Sequence, residues 1–357
     1  MILFENQKSS IVTDSATQGL YLLFKNLNDY STIILHPNTC LQVYMAALQA
    51  NKIIRFVDIE LETCNFKKID LENAIIDTIE KTSRPPLVLI VHLFGISCSL
   101  EIINLCQKYK SIIIEDCAQS LFSYYSDKSP VGSKADYSVF SFGETKHLNL
   151  GNTGIITFNQ KSLFSKFSDS LNQLRYDRKE KNNLFSKYRK EYYQFLENKI
   201  NHKVYPNRIE EFNAFIKYYS KFFSLGAKNS KYTLEEIKKQ ILNFNKRIDH
   251  IKESEIYIKE ALNGLKISFF KKESNYIFWR YSFLLNKKER DPLINHIRNK
   301  IPHISTWYPS IPKICQLNNY QNFSGSIELS ERICNIDNLQ MDHAKMKKIL
   351  ILIKEYF

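Results

Sequence analysis

The sequence predicts an α/β protein built on a mostly parallel sheet. Short runs of Ile, Val and Leu alternate with amphipathic helical segments up to about residue 157. These runs are continuously apolar, which is typical of parallel strands buried on both faces. A chain of 357 residues is also long enough to bury a large core. In doubly wound sheets ligands gather at the carboxyl ends of the strands, so site residues are expected there.

The elements of this first region follow one another regularly. Strands are predicted where β-branched residues run together, and helices where apolar residues recur with a period near 3.6. The predicted strands are 31–35, 53–57, 86–92, 111–115, 137–142 and 154–158, and the predicted helices are 17–27, 41–51 and 100–110.

The rest of the chain has a different character. Long polar helices rich in Lys, Tyr and Phe extend from about 162 to 262, with breaks near Pro206 and Gly226, and are expected to pack outside the sheet. A strand at 276–285, a helix at 292–300, an extended segment at 305–312 and a terminal helix at 341–357 follow. We expect a large domain over 1–240, with a helical insert at about 176–228, and a small α+β domain over 241–357.

The composition excludes several classes of protein. With 44% hydrophobic and 24% charged residues the chain is neither disordered, collagenous nor coiled-coil. Seven scattered cysteines without ligand spacing predict reduced thiols and no metal. The chain shows neither a secretory signal nor a transmembrane segment, so we expect a cytoplasmic protein. A net charge of +13 without a nucleic-acid-binding motif suits phosphorylated small molecules, and no nucleic acid is expected as a partner.

Two polar side chains follow neighbouring apolar strands. Asp116 comes at the end of one strand, and Ser141 and Lys146 come at and after the end of the next. A carboxylate and an amine at one sheet edge suit a pyridoxal phosphate site, because the lysine binds the cofactor covalently and the aspartate stabilises the protonated pyridine nitrogen. Taken singly, Asp116 is better explained as a helix cap and Lys146 as a solvated loop amine.

In their sequence context these residues resemble the DegT/DnrJ/StrS family of sugar aminotransferases. The main matching segments are 112–120 (IIIEDCAQS), 131–148 (VGSKADYSVFSFGETKHL) and 151–158 (GNTGIITF). Shorter matches in the family's order lie at 15–20, 56–59, 91–95, 174–175, 229–236 and 307–309. The resemblance therefore extends from Ser15 nearly to the end of the chain.

The resemblance implies a fold-type I, aspartate aminotransferase-like enzyme that uses pyridoxal 5'-phosphate. Its fold would be a mixed, mostly parallel seven-stranded sheet in the large domain plus the small α+β domain. Lys146 and Asp116 would be catalytic, with Lys146 bound to the cofactor and Asp116 paired with its ring nitrogen. The implied cofactor-binding residues are Ala16, Thr17, Asp116, Gln119, Ser141, Lys146 and Asn229, and the implied substrate contacts are Lys231, Trp307 and Tyr308.

Each remaining cofactor residue has an implied partner. Gln119 would contact the ring hydroxyl oxygen. Ser141 and the backbone N–H groups of Ala16 and Thr17 would hold the phosphate at a helix N-terminus. Asn229 would reach the phosphate from a neighbouring subunit, which implies a homodimer with shared active sites.

The implied reaction transfers an amino group, expected to come from L-glutamate, to a keto group of a nucleotide-diphosphate-linked deoxyhexose. Such products feed lipopolysaccharide O-antigen and other surface glycans. Two alternatives remain open: a sugar dehydratase of the same family, in which histidine replaces the lysine, and a non-catalytic binding or regulatory subunit. Lys146 keeps the expected offset from Ser141, with His147 following it, which favours transamination.

Four features depart from the family pattern. Cys40 stands where an aromatic residue usually stacks on the pyridine ring. The turn at 151–154 reads Gly-Asn-Thr-Gly where Gly-x-Gly-Gly is usual, and the arm before Ser15 is short. The insert is long, basic and aromatic; its simplest interpretation is a helical hairpin packed on the body. The functional alternatives are that it replaces the arm, covers the nucleotide end of the substrate or docks on an anionic surface.

Overall fold

The computed structural model describes most of the chain outside the predicted insert. The described residues are 9–143, 145–151, 153–159, 232–271, 276–301, 303–336 and 343–357, together with positions 164, 167, 187, 190, 191, 194 and 217. Asn229 and Lys231, two of the predicted site residues, lie outside them.

The centre of the molecule is a seven-stranded mixed sheet. Its strands are β1 (Ser10–Thr13), β2 (Thr32–Leu35), β3 (Ile53–Phe56), β4 (Leu87–Val91), β5 (Ile112–Asp116), β6 (Tyr137–Phe142) and β7 (Thr153–Phe158). The spatial order is β1-β7-β6-β5-β4-β2-β3. Strands β2 to β6 pair in parallel, and β7 runs antiparallel to both β6 and β1. The predicted sheet is confirmed, with one further strand, β1, at its edge.

Helices cover this sheet. They are α1 (Ala16–Asn26), α2 (Leu41–Gln49), α3 (Lys68–Thr82) and α4 (Leu100–Lys108). The sequence analysis does not predict α3, although its buried residues Leu71, Ala74, Ile75 and Thr78 follow the 3.6-residue period. The apolar face of α3 is therefore narrow, and the rest of the helix surface is largely polar and charged.

A long helix, α5 (Leu234–Ala261), connects the two parts of the molecule. It begins with a capping box between Thr233 and Glu236. Its first turns pack Ile237 and Ile241 into the core of the large sheet, and its later turns pack into a separate core. The predicted division at 240/241 falls inside this helix and stays a prediction.

The second core surrounds a small antiparallel sheet in the order β8-β10-β9. Its strands are β8 (Tyr281–Leu284), β9 (Ile304–Ser305) and β10 (Ile333–Ile336), and the helices of this region are α6 (Lys287–Arg298), α7 (Ile311–Ile314), α8 (Ser324–Arg332) and α9 (His343–Tyr356). The strand predicted at 276–285 is shorter than expected. Residues 276–280 run along the large sheet's loops instead, where the N–H of Trp279 donates to the carbonyl of Phe94 at 3.2 Å.

Asp58, which follows β3 of the large sheet, forms hydrogen bonds with α8 of the small α+β region. Its buried carboxylate accepts the N–H groups of Gly325 (3.0 Å) and Ser326 (2.9 Å) at the start of α8, and the ammonium of Lys67 (2.7 Å). Burial alone would raise the pKa of Asp58, but these hydrogen bonds outweigh it and lower the pKa. Among the described helices none is both long and apolar enough to cross a bilayer.

Candidate active site

Asp116 lies at the carboxyl edge of the large sheet. It is the last residue of β5, in register with Val91 of β4 and Val139 of β6. Its buried Oδ1 accepts the N–H of Ala118 at 3.0 Å. Burial raises the pKa of Asp116, while the Ala118 N–H and the charge of Lys146 act to lower it. A nearby cation therefore stabilises the ionised form of this carboxylate, which burial disfavours.

Lys146 approaches the same edge from the loop after β6. Its ammonium nitrogen lies 4.8 Å from the centroid of the Trp279 ring, and Trp279 is fixed by a 2.5 Å hydrogen bond from Nε1 to the carbonyl of Thr145. Burial lowers the pKa of Lys146 below its usual 10.5, although Cys40 and Asp116 act to raise it. The surroundings thus favour the neutral amine that a lysine nucleophile requires.

The N-terminus of α1 lies beside Ser141. Ser15 caps the helix, its Oγ accepting the N–H of Gln18 at 3.1 Å, whereas the first-turn amides of Ala16 and Thr17 point out of the helix without an intrahelical acceptor. Ser141 pairs with Gly154 across β6 and β7. A hydroxyl and two free amides at a helix dipole form a good anion site.

Gly154 explains why this helix end can come so close. A Cβ atom at that position would lie 2.3 Å from the backbone nitrogen of Ala16. The altered turn at 151–154 therefore keeps the one glycine that allows α1 to contact β7.

Gln119 and Thr17 already have protein partners. The Gln119 Oε1 accepts the N–H of Phe94 at 2.8 Å, which leaves its Nε2 group to face a ligand. The Thr17 hydroxyl donates to Oε1 of Gln42 at 2.8 Å, so only its backbone N–H is available to a phosphate.

The two predicted C-terminal contacts differ in position. Tyr308 is buried and stacks on Trp279 at 6.1 Å, with 15° between the ring planes. Burial raises the pKa of Tyr308 well above 10, and nearby Cys40 raises it further. The Trp307 side chain is 37% exposed, and its backbone N–H donates to Oδ1 of Asn335 at 2.8 Å. The fold therefore packs the Tyr308 side chain on Trp279, the residue that contacts Lys146, and leaves Trp307 partly exposed.

Sequence reasoning missed Trp279 and Arg280. Within the predicted strand at 276–285 these two residues stand out only as an aromatic residue followed by an arginine. Packing of a strand in the core accounts for such a pair as well as a functional role does. The cation of Arg280 lies 4.4 Å from the centroid of the Trp279 ring, so one indole contacts both Arg280 and Lys146. Trp279 itself is 3% exposed.

A buried polar group lies behind Asp116. His92, Glu115 and Cys117 place their polar atoms within 4.8 Å of one another. The His92 Nδ1 accepts the N–H of Cys98 at 3.0 Å, so in the neutral ring Nε2 carries the proton and points at Glu115, 3.9 Å away. That nitrogen has no hydrogen-bond partner among the described residues, while the other oxygen of Glu115 accepts the Tyr125 hydroxyl at 2.6 Å.

Comparison with known proteins agrees with this geometry. The model of the DegT/DnrJ/EryC1/StrS aminotransferase family matches residues 3–343. The chain belongs to this family. A UDP-4-amino-4,6-dideoxy-N-acetyl-beta-L-altrosamine transaminase of Campylobacter jejuni is 33% identical over 161 residues, which are 44% of this chain and 42% of that protein. The chain thus spans less than half the length of the curated relatives it matches first.

Solved structures of the DegT/DnrJ/EryC1/StrS family share the fold over almost the whole chain. PseC of Helicobacter pylori, described as an aminotransferase involved in the biosynthesis of pseudoaminic acid, gives a TM-score of 0.70 at 15% identity, covering 98% of this chain and 86% of that one. A putative sugar aminotransferase of Streptococcus pneumoniae in its PMP form gives 0.72 at 16% identity, covering 99% and 89%. These likenesses confirm the predicted transferase fold.

Proposed function

We propose that this protein is a pyridoxal phosphate-dependent aminotransferase that acts on the keto group of a nucleotide-diphosphate-linked deoxyhexose. The observation that carries the proposal is the convergence of buried Asp116 and half-buried Lys146 at one sheet edge, where the charge of each affects the pKa of the other, beside the open N-terminus of α1. The transaminase function in the name of the C. jejuni relative supports the substrate class. We propose L-glutamate as the amino donor.

The described residues fit pyridoxal phosphate. The amides of Ala16 and Thr17 with the Ser141 hydroxyl suit its phosphate, and Asp116 suits its protonated ring nitrogen. In addition, the hydroxyl of Thr39 is buried at the carboxyl end of β2 with no hydrogen-bond partner among the described residues. A buried orphan hydroxyl costs free energy unless a ligand satisfies it, which supports a bound polar group here.

The protein's own groups divide the chemical work. When bound, the cofactor supplies an electron sink for the carbon that loses its proton. Lys146, whose pKa is lowered by burial, would take the proton from Cα of the amino donor in its neutral form. Asp116 would lie beside the ring nitrogen, where its ionised form would keep a proton on that nitrogen, and the Nε2 group of Gln119 would donate to the ring oxygen. Trp279 lies against Lys146, and Tyr308 stacks on Trp279.

The dehydratase alternative is disfavoured by the position of His147. Its Nε2 contacts the carbonyl of Ile277 at 3.2 Å, and its ring packs edge-on against Phe122 and Phe244. Burial lowers the pKa of His147 to about 4. The imidazole is thus engaged in packing, while Lys146 occupies the lysine position.

We further propose a homodimer in which Asn229 reaches the neighbouring subunit's phosphate site and Lys231 contacts substrate. A cytoplasmic location and the division into domains 1–240 and 241–357 are retained as predictions.

The first experiment is a spectroscopic half-reaction. Purified protein loaded with pyridoxal phosphate is expected to show the visible absorption band of the lysine-bound cofactor, and L-glutamate is expected to bleach it. Retention of the band with glutamate and with every other common amino acid would overturn the aminotransferase proposal.

A substitution of the nucleophile tests the residue assignment. Lys146→Ala should lose the visible band and lower the rate of the glutamate half-reaction by about 10²-fold or more, the range for loss of a positioned proton-transfer group. Lys313→Ala, which removes an amine paired with Glu331 on α8, serves as the control and should keep both. A Lys146→Ala protein that still transaminates contradicts the assignment.

A further inference from the structure

The first turn of α2 adjoins the reacting centre. Cys40 is the N-cap residue of this helix. Burial raises the pKa of Cys40, the nearby charge of Lys146 lowers it and that of Asp116 raises it, so the thiol lies close to both groups. One residue earlier, the buried hydroxyl of Thr39 has no hydrogen-bond partner among the described residues. Side chains on the first turn of α2 are therefore placed to contact a ligand bound at Lys146.

Gln42, also in this turn, joins α2 to the N-terminus of α1. Its Oε1 accepts the hydroxyl of Thr17 at 2.8 Å. Thr17 is buried and Gln42 is half-buried. A hydroxyl has a single hydrogen, so the Thr17 hydroxyl has none left to donate to an anion. The hydrogen bond places the Gln42 carboxamide beside the residue whose backbone N–H is predicted to hold a phosphate.

The nitrogen of the Gln42 carboxamide has no hydrogen-bond partner among the described residues. Because Nε2 and Oε1 share one carbon atom, the bond to Thr17 holds Nε2 within a few ångströms of the Thr17 hydroxyl. The nitrogen carries two hydrogens that it can donate. The other groups predicted to hold the phosphate, the amides of Ala16 and Thr17 and the Ser141 hydroxyl, are all neutral. A phosphate dianion there would gain from a further N–H donor, because hydrogen bonds to charged groups are strong.

We propose that Gln42 is a further phosphate-binding residue of this chain, with Nε2 donating to the phosphate of pyridoxal phosphate while Oε1 holds the Thr17 hydroxyl. The inference rests on the proposed function. Gln42 lies outside every segment that carries the family resemblance, so the resemblance does not imply this role. In the simpler alternative, the hydrogen bond only packs α2 on α1, and Nε2 has no task.

A comparison of two aldehydes separates phosphate binding from packing. The full chain, freed of cofactor, is titrated with pyridoxal phosphate and separately with pyridoxal, which lacks the phosphate, and the visible absorption band reports binding. Gln42→Leu should weaken binding of pyridoxal phosphate by about tenfold or more, the range for a hydrogen bond to a charged group, and change that of pyridoxal by less than about twofold. Gln42→Glu keeps an acceptor for Thr17 but places a negative charge beside the phosphate, so it should weaken binding further.

Gln49 provides the matched control. It is the last residue of the same helix and is exposed, so Gln49→Leu and Gln49→Glu should bind both aldehydes like the parent. Because Gln42→Glu preserves the contact with Thr17, it remains a test if Gln42→Leu folds poorly.

The outcomes distinguish this inference from the proposed function. Equal losses of affinity for the two aldehydes in the Gln42 variants would show that Gln42 acts through packing, and unchanged affinity for both would show that it does not reach the phosphate; either result overturns the inference alone. A loss confined to pyridoxal phosphate supports it even if glutamate leaves the absorption band unchanged. If the parent protein captures neither aldehyde, the proposed function and this inference fail together.

Discussion

Lys146 is subject to opposing influences on its charge. Removal from water lowers its pKa, Cys40 and Asp116 raise it, and Arg280 lowers it again. The amine therefore stays close to a carboxylate without being fixed as its permanent counter-ion. This combination suits a group that must be neutral to react and must then carry a proton.

The sign of these effects predicts a pH dependence for cofactor capture. Because only the neutral amine reacts, the rate at which apoprotein binds pyridoxal phosphate should rise with pH and level off with a midpoint below 10.5, the usual lysine value. Arg280→Gln removes a charge that lowers this pKa, so it should move the midpoint upward. Stopped-flow absorbance on the apoprotein measures both; a parent midpoint at or above 10.5 would refute the argument.

At the scale of elements, the contact between α1 and β7 builds the anion site. Gly154 lets the helix end lie against the strand, and its pairing with Ser141 brings the hydroxyl to the same place. The site therefore depends on a backbone contact as much as on side chains.

Gly154→Ala is expected to separate these two elements. A Cβ atom 2.3 Å from Ala16 N forces the helix away, which should cost about 1–3 kcal/mol of unfolding free energy and weaken pyridoxal phosphate binding. Gly143→Ala is the control for the stability readout alone, because a Cβ there would meet its nearest neighbours at 3.7 Å or more, although these include Ser141 Oγ and Lys146 Cγ. Denaturant titration and cofactor titration provide the two readouts. Equal stability of the two variants would argue against the contact.

At the scale of the whole molecule, two buried histidines, His36 and His147, affect how the free energy of unfolding changes at acid pH. The His36 Nδ1 accepts the N–H of Asn38 at 3.1 Å, and Asn38 in turn donates to the carbonyls of Tyr308 and Ser326 across the two sheets. His147 contacts Ile277 in the segment that runs along the large sheet's loops. Both rings must be neutral in these positions, and burial lowers the pKa of each to about 4.

Both histidines should therefore destabilise the fold in acid. Unfolded histidines titrate near 6.5, so the unfolded chain binds more protons between pH 6.5 and 4, and stability falls as pH falls through that window. At pH 4 each histidine lowers the free energy of unfolding by roughly 3 kcal/mol relative to neutral pH. Denaturant unfolding of the parent and of His147→Gln across this window measures the effect; the variant should have a shallower pH dependence. An identical slope would show that His147 does not titrate this way.

The sequence by itself determined the sheet and the identity of its polar edge residues. Continuous apolar runs favour parallel strands covered on both faces, which predicts that Asp116 and Ser141 emerge at one edge. The sequence also contains a signal for α3, because the buried residues of that helix form a narrow hydrophobic stripe with helical spacing.

Only the tertiary structure decided what surrounds Lys146. Trp279, Arg280 and Tyr308 are more than 130 residues away from it in the chain, and no local period relates them to it. They meet because residues 276–280 leave the small sheet to pack on the large one, where Phe94 and Ser123 accept their backbone N–H groups. Long-range contacts of this kind depend on shape and on partners for buried polar groups, which a linear pattern does not encode.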